Sequence, residues 1–260
     1  MRRVIRFAVA LGLASAAAVS GPAAADPAPI RAPAQVSLVS VMPVVWNGEV
    51  WTARESPALR QNPNQNYWMA TPENVFVDDQ QRLHLIGRQV GGRWFAASVN
   101  TVRNDYSYGT YRFVVETPMG NLDPNAAVGL FTYNQDVLPS RQESDVELSR
   151  WGQPDIGAAN AQWVVQPWTE PGHVVHFNVP PSSPMTYEFT WRPKAVTFRA
   201  RLGSSPTGKV INSWKSTKAL PGAAQPGTQV FINLWFRKGL APYSQTSQEV
   251  VLDSFTYTPR

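Results

Sequence analysis

The sequence predicts an all-β protein, two antiparallel sheets stacked as a jelly-roll sandwich, and three observations carry that prediction. Short runs in which apolar and polar residues alternate with period two recur along the chain. Gly, Pro, Asn and Asp separate them, the residues that turns require. No stretch repeats apolar residues at helical spacing. About a dozen strands in one domain of this size fit two stacked sheets better than a helix-containing fold.

The runs follow in order. Arg82 to Arg88 sets Leu83 and Leu85 either side of His84, and Thr110 to Glu116 sets Tyr111 and Phe113 either side of Arg112. Val128 to Tyr133, Asp145 to Ser149 and Gln162 to Gln166 are each of strand length. Tyr187 to Trp191 and Val196 to Arg201 flank Arg192-Pro193-Lys194-Ala195, a hairpin with a short Pro-containing turn. Gln229 to Arg237 is the last long run.

The N-terminal region reads differently. Arg2, Arg3 and Arg6 precede an apolar run from Phe7 to Val19 and then Ala23-Ala24-Ala25 ahead of Asp26. That is the layout of a secretory signal over residues 1–25, removed on export. The apolar run is too short to span a membrane, and no later segment comes close, so a secreted or periplasmic protein free of the membrane is expected. Residues 26–43 are rich in Pro and Ala and read as a linker, with the domain proper at 44–260.

Composition excludes several chemistries. The formal charge of +5 falls once three signal Arg are removed, leaving 20 basic against 18 acidic residues. No Lys/Arg cluster along the chain forms a basic face, so nucleic acid is not an expected partner. Cysteine is absent, which excludes disulfides and thiol catalysis. His84, His173 and His176 are the only histidines, in no zinc-binding spacing, and they supply a His-dependent triad poorly. No cofactor is required, and the chain is expected to act as a monomer. Ten Trp, eight Tyr and eleven Phe are in excess; such rings fill sandwich cores and also stack on sugars.

One segment concentrates chemistry. In Glu143-Ser144-Asp145-Val146-Glu147-Leu148, strand alternation puts three carboxyls on one face and Ser144, Val146 and Leu148 on the other. At about 3.3 Å per residue the Glu143 and Glu147 Cα atoms stand roughly 13 Å apart, and side chains reaching ~4 Å toward each other leave about 5 Å. That gap suits a glycosidase that retains anomeric configuration. By spacing alone the triplet also reads as a solvated outer face, although like charges on one strand face repel.

These residues resemble glycoside hydrolase family 16, the laminarinase and lichenase group, whose signature strand reads Glu-x-Asp-x-Glu. Tyr108-Gly109-Thr110-Tyr111-Arg112-Phe113, Val128-Gly129-Leu130-Phe131, Phe189-Thr190-Trp191-Arg192-Pro193, Asn233-Leu234-Trp235 and Val251-Leu252-Asp253-Ser254-Phe255 extend the resemblance over residues 46–257. It implies a concanavalin A-like jelly roll whose concave sheet carries the cleft. It also implies Glu143 as nucleophile, Asp145 as the assisting acid and Glu147 as general acid/base. Strand parity then assigns Phe131, Tyr133, Asn233, Trp235 and Arg237 to the cleft, with Trp151 beside Glu147 if the strand continues. Trp68, Trp163 and Trp168 are expected in core or loop packing. Ser144 stands where the family has a branched apolar residue, and Arg112 where it has Glu. Some relatives hold a structural calcium, for which Asp253 is the candidate ligand.

The activity so implied is endo-hydrolysis of a β-linked polysaccharide, β-glucan foremost. A sugar-binding lectin on the same sandwich is the alternative, needing rings but not the carboxyl triplet. A polysaccharide lyase would want a basic cleft with a His or Tyr base.

Overall fold

The structure, a computed structural model, describes residues 41–137, 143–155, 157 and 159–260. The expected signal and nearly all of the expected linker lie outside these residues. Among them are 17 strands and no α-helix, arranged as an antiparallel jelly-roll sandwich.

One sheet contains β1 (Val41–Trp46), β2 (Glu49–Arg54), β7 (Arg93–Thr101), β16 (Gln229–Phe236), β9 (Ala126–Tyr133), β10 (Ser144–Ser149), β11 (Ala161–Val165) and β12 (Val174–Phe177), hydrogen-bonded in that order. The other runs β5 (Val75–Val77), β6 (Leu83–Val90), β17 (Gln248–Pro259), β8 (Gly109–Val115), β13 (Met185–Arg192), β14 (Ala195–Leu202) and β15 (Val210–Ser216). The tight β6–β7 hairpin joins the sheets, because Arg88–Val90 pair with Arg93–Phe95 while the start of β6 stays with β17. β3 (Ser56–Gln61) and β4 (Asn66–Trp68) lie along the start of β7, through a parallel pairing of β4.

Alternation builds the core. Val128, Leu130, Val146, Leu148, Ile232 and Leu234 from the first sheet meet Tyr111, Phe113, Tyr187, Phe189, Phe198 and Leu252 from the second, all buried in one cluster. Ring pairs cross the gap: Trp163 of β11 lies 5.4 Å from Phe198 of β14, and Trp51 of β2 lies 5.5 Å from Phe255 of β17. Gly109, in the Tyr-Gly segment, has no room for a side chain, since a Cβ there would sit 2.5 Å from the Tyr257 ring.

Two expectations change. β1 already begins at Val41, whose neighbours Met42 and Pro43 pair with Ala53 and Thr52, so the end of the segment read as linker is strand. Its composition looks linker-like, but the partner strand supplies the hydrogen bonds. The expectation that no basic face forms also fails. β8, β13, β14 and β15 lie side by side, and their outward positions gather Arg112, Arg192, Arg199, Arg201 and Lys215, dispersed in sequence. Among the described residues no helix is long and apolar enough to cross a membrane.

Candidate active site

The outward face of the first sheet carries a cleft of about 550 Å³, and strand register arranges its floor in rows. One row runs Ser98, Asn233, Gly129, Glu147 and Gln162 across β7, β16, β9, β10 and β11. The next runs Asn100, Phe231, Phe131, Asp145 and Val164. Gln229 pairs with Tyr133 in the row beyond, at the Glu143 end. Glu143, Asp145 and Glu147 thus share the cleft face of β10 and its approach, while Val146 and Leu148 enter the core.

Gly129 makes this packing feasible. A Cβ there would stand 2.7 Å from Asn233 Oδ1, which accepts a hydrogen bond from the Gly129 N–H at 2.9 Å. Opposite Glu147, a bare backbone leaves Asn233 its place in the floor. Phe131 stacks on Phe231 with centroids 5.3 Å apart, and Tyr133 meets Phe231 edge-on at 5.7 Å. Together they form a half-exposed aromatic ledge beside the carboxyls.

Two carboxyls are held from β11 and the residue that follows it. Gln162 donates Nε2–H to Glu147 Oε2, and Gln166 donates to Asp145 Oδ2 at 3.1 Å. Asp145 also shares a hydrogen bond with Glu143, which requires a proton between them. Asp145 is 2% exposed, whereas Glu143 and Glu147 are half-buried and open to the cleft. Burial drives all three proton affinities up. Glu147 rises to about 7, opposed by the Gln162 hydrogen bond. Glu143 rises to about 8 through burial and then the charge of Glu147, against the pull of the Asp145 hydrogen bond. Asp145 goes well above the carboxylate range, through burial first and then its two acidic neighbours. Burial, and then Glu143's charge, raises the Tyr133 phenol.

Phe131, Tyr133, Asn233 and Trp235 line the cleft; Trp151 and Arg237 are placed otherwise. β10 ends at Ser149, and Trp151 sits in a turn with φ +55°, its ring packed 6.1 Å from Trp235 in a cleft-side cluster, outside the cleft lining. β16 ends at Phe236, so parity lapses: Arg237 opens a 3₁₀ turn, with its guanidinium over Gly152. Trp163 is core, and Trp68 is buried with Trp235 in a smaller cluster on the cleft side. Trp168 is 65% exposed on the loop after β11, so the packing expected of it is absent. Asp253 is an exposed bulge residue of β17, and among the described residues no group of three His, Cys, Asp or Glu could hold a metal ion.

Sequence reasoning missed Gln162, Gln166, Phe231 and Arg54. Parity could have found Phe231, two residues before Asn233. Arg54 needed the fold: its guanidinium bonds Gln61 and the Asn62 carbonyl and lies 4.6 Å over Trp68, on the cleft wall.

The architecture is that of the family 16 β-glucanases. Bacillus licheniformis β-glucanase superposes with a TM-score of 0.63 at 18% identity, covering 86% of this chain and 100% of that one. A family 16 glycosyl hydrolase of Mycobacterium smegmatis gives 0.58 at 14%, covering 82% and 93%. A pseudo β-1,3-glucanase of Mycobacterium tuberculosis gives 0.57 at 16%, covering 81% and 91%. No protein-family model and no curated protein matches the sequence.

Proposed function

We propose that this chain is an exported, retaining endo-glycosidase that hydrolyses a β-linked polysaccharide, β-glucan foremost. The observation that carries the reading is the row of three carboxyls on the floor of an open cleft, each held by a named partner and set beside a ledge of stacked rings. The β-glucanases that share the fold act on such polymers, by their names, and support the substrate class.

The chemistry follows from the proton inventory. Asp145, raised well above the carboxylate range, keeps its proton and donates it in a hydrogen bond to Glu143, which pulls the Glu143 proton affinity down against burial. The three groups titrate as one set, and the reactive form is the one with Glu143 ionised and Glu147 protonated. Glu147 holds a proton up to about pH 7 and gives it to the glycosidic oxygen as the bond to the anomeric carbon breaks. Glu143 attacks that carbon and forms a covalent glycosyl-enzyme. Glu147, now ionised, takes a proton from water, which displaces Glu143 and restores the original anomeric configuration. Phe131, Phe231 and Tyr133 offer apolar faces to sugar rings.

Hydrolysis of a panel of β-1,3, β-1,4 and mixed-linkage glucans, with the first-formed anomer read by proton NMR, tests this. Retained configuration is expected, and Glu143→Gln and Glu147→Gln should each lose at least about 100-fold in kcat. An inverted product, or wild-type turnover in both variants, refutes the assignment. The Mycobacterium tuberculosis protein with this fold carries the name of a pseudo-glucanase, so this fold does not by itself fix hydrolysis, and a sugar-binding lectin is the second reading. Oligosaccharide binding with no reducing ends released would select it.

A further inference from the structure

The outer face of the second sheet, turned away from the cleft, carries a second concentration of charge. β13 presents Glu188, Thr190 and Arg192 outward, because Tyr187, Phe189 and Trp191 point into the core. Register then lays Arg112 beside Glu188 on β8, Arg199 beside Glu188 on β14, and Lys215 beside Thr197 on β15. Arg201 and Arg260 complete six cations around a single outward acid.

That acid shows how the face holds a carboxylate. Glu188, its side chain 5% exposed, is held by Arg112 at 3.2 Å, Arg201 at 3.2 Å and Arg199 at 3.5 Å. One carboxylate is thus already gripped by guanidinium groups, whose planar donors match its two oxygens. Beside it lies an open depression of about 330 Å³ lined by Thr190, Thr197, Arg192, Arg199, Lys215 and Arg260. Among the described residues Arg192, Lys215 and Arg260 are exposed and enter no ion pair. Unlike a surface in which acids alternate with bases, this face leaves most of its positive charge uncompensated.

We propose that this face is a second binding site, for a polysaccharide that carries carboxylate groups, independent of the neutral-sugar cleft. Guanidinium and ammonium groups take the carboxylates, and the Thr197 hydroxyl takes a sugar hydroxyl, the Thr190 hydroxyl being already paired with Thr110. Single-stranded nucleic acid fits less well, because stacking needs exposed rings and the aromatic residues of β8, β13 and β14 all point inward. Bound there, the enzyme would be held on an acidic polymer while the opposite sheet works on a neutral one.

The test is titration calorimetry of the full chain with polygalacturonate, at about 50 mM and about 200 mM salt. Duplex DNA, phosphatidylglycerol vesicles and neutral dextran serve as comparators. The variant Arg192→Gln/Lys215→Gln/Arg260→Gln alters exposed side chains only, so its thermal midpoint should match that of the parent. Polygalacturonate should bind, weaken with salt, and bind the triple variant at least tenfold less tightly, while turnover of neutral β-glucan stays unchanged. Three results overturn the proposal: no polygalacturonate binding, equal affinity in the variant, or tighter binding of DNA or vesicles. Binding that the variant loses in a chain inactive on every glucan would sustain this site and sink the hydrolase reading instead.

Discussion

Gln162 and Gln166 contribute no charge, yet they govern the protons of the acidic strand. The Gln162 hydrogen bond stabilises ionised Glu147 and so opposes the rise caused by burial. Gln162→Leu removes that donor and should raise the Glu147 pKa further. In the proposed mechanism, activity on the alkaline side is lost as Glu147 gives up its proton, so the alkaline limb of kcat should move to higher pH. An unmoved or acid-shifted limb would show that Glu147 does not supply the proton. Stability has its own signature. All three carboxyls bind protons more tightly in the folded chain than in the unfolded one, so between about pH 4 and about pH 8 the folded state holds more protons. Their contribution to stability therefore falls as pH rises through that window. Asp145→Asn removes the most deeply buried of the three. Its melting midpoint should exceed the parent's by a few degrees at pH 8, the scale of about 1–2 kcal/mol in a domain of this size, and by less at pH 5. Scanning calorimetry at the two pH values checks it.

Among elements, β9 and β10 were the most legible. The runs Val128 to Tyr133 and Asp145 to Ser149 lie within the strands Ala126–Tyr133 and Ser144–Ser149, because their side chains alternate between a dry core and an open face. Parity reached as far as the strands did. It placed Phe131 and Asn233 on the cleft side and lapsed at Arg237, one step past Phe236; at Trp151 the strand on which its placement depended has ended, and the ring packs against Trp235. Gly129→Ala tests how tightly β9 and β16 are fitted. Its Cβ would press on Asn233 Oδ1 and the Phe131 ring, so a loss of about 1–3 kcal/mol is expected, together with reduced turnover. Urea denaturation showing parental stability would contradict the close fit. Ser144 is the opposite case: it is fully buried on the core face, and its hydroxyl has no hydrogen-bond partner among the described residues. Ser144→Ala should therefore stabilise by about 1 kcal/mol, read in the same denaturation series.

For the whole molecule, the sandwich depends on rings that cross between its sheets. Trp163 stacks on Phe177 of its own sheet and Phe198 of the other, and it donates its indole N–H to Asn212 at 2.8 Å. Trp163→Ala should cost about 3–5 kcal/mol, measurable by denaturant unfolding, and a loss below about 1 kcal/mol would place the inter-sheet support elsewhere. The sequence by itself determined the fold class, the shared face of the three carboxyls and part of the cleft floor, because these follow from period-two alternation, a local property of each strand. Only the tertiary structure decided which residues meet across strands. Gln162 and Gln166 on Glu147 and Asp145, Arg54 on the cleft wall, and six dispersed cations on one outer face depend on strand pairing and order. Those contacts are non-local, and a linear pattern holds no record of them.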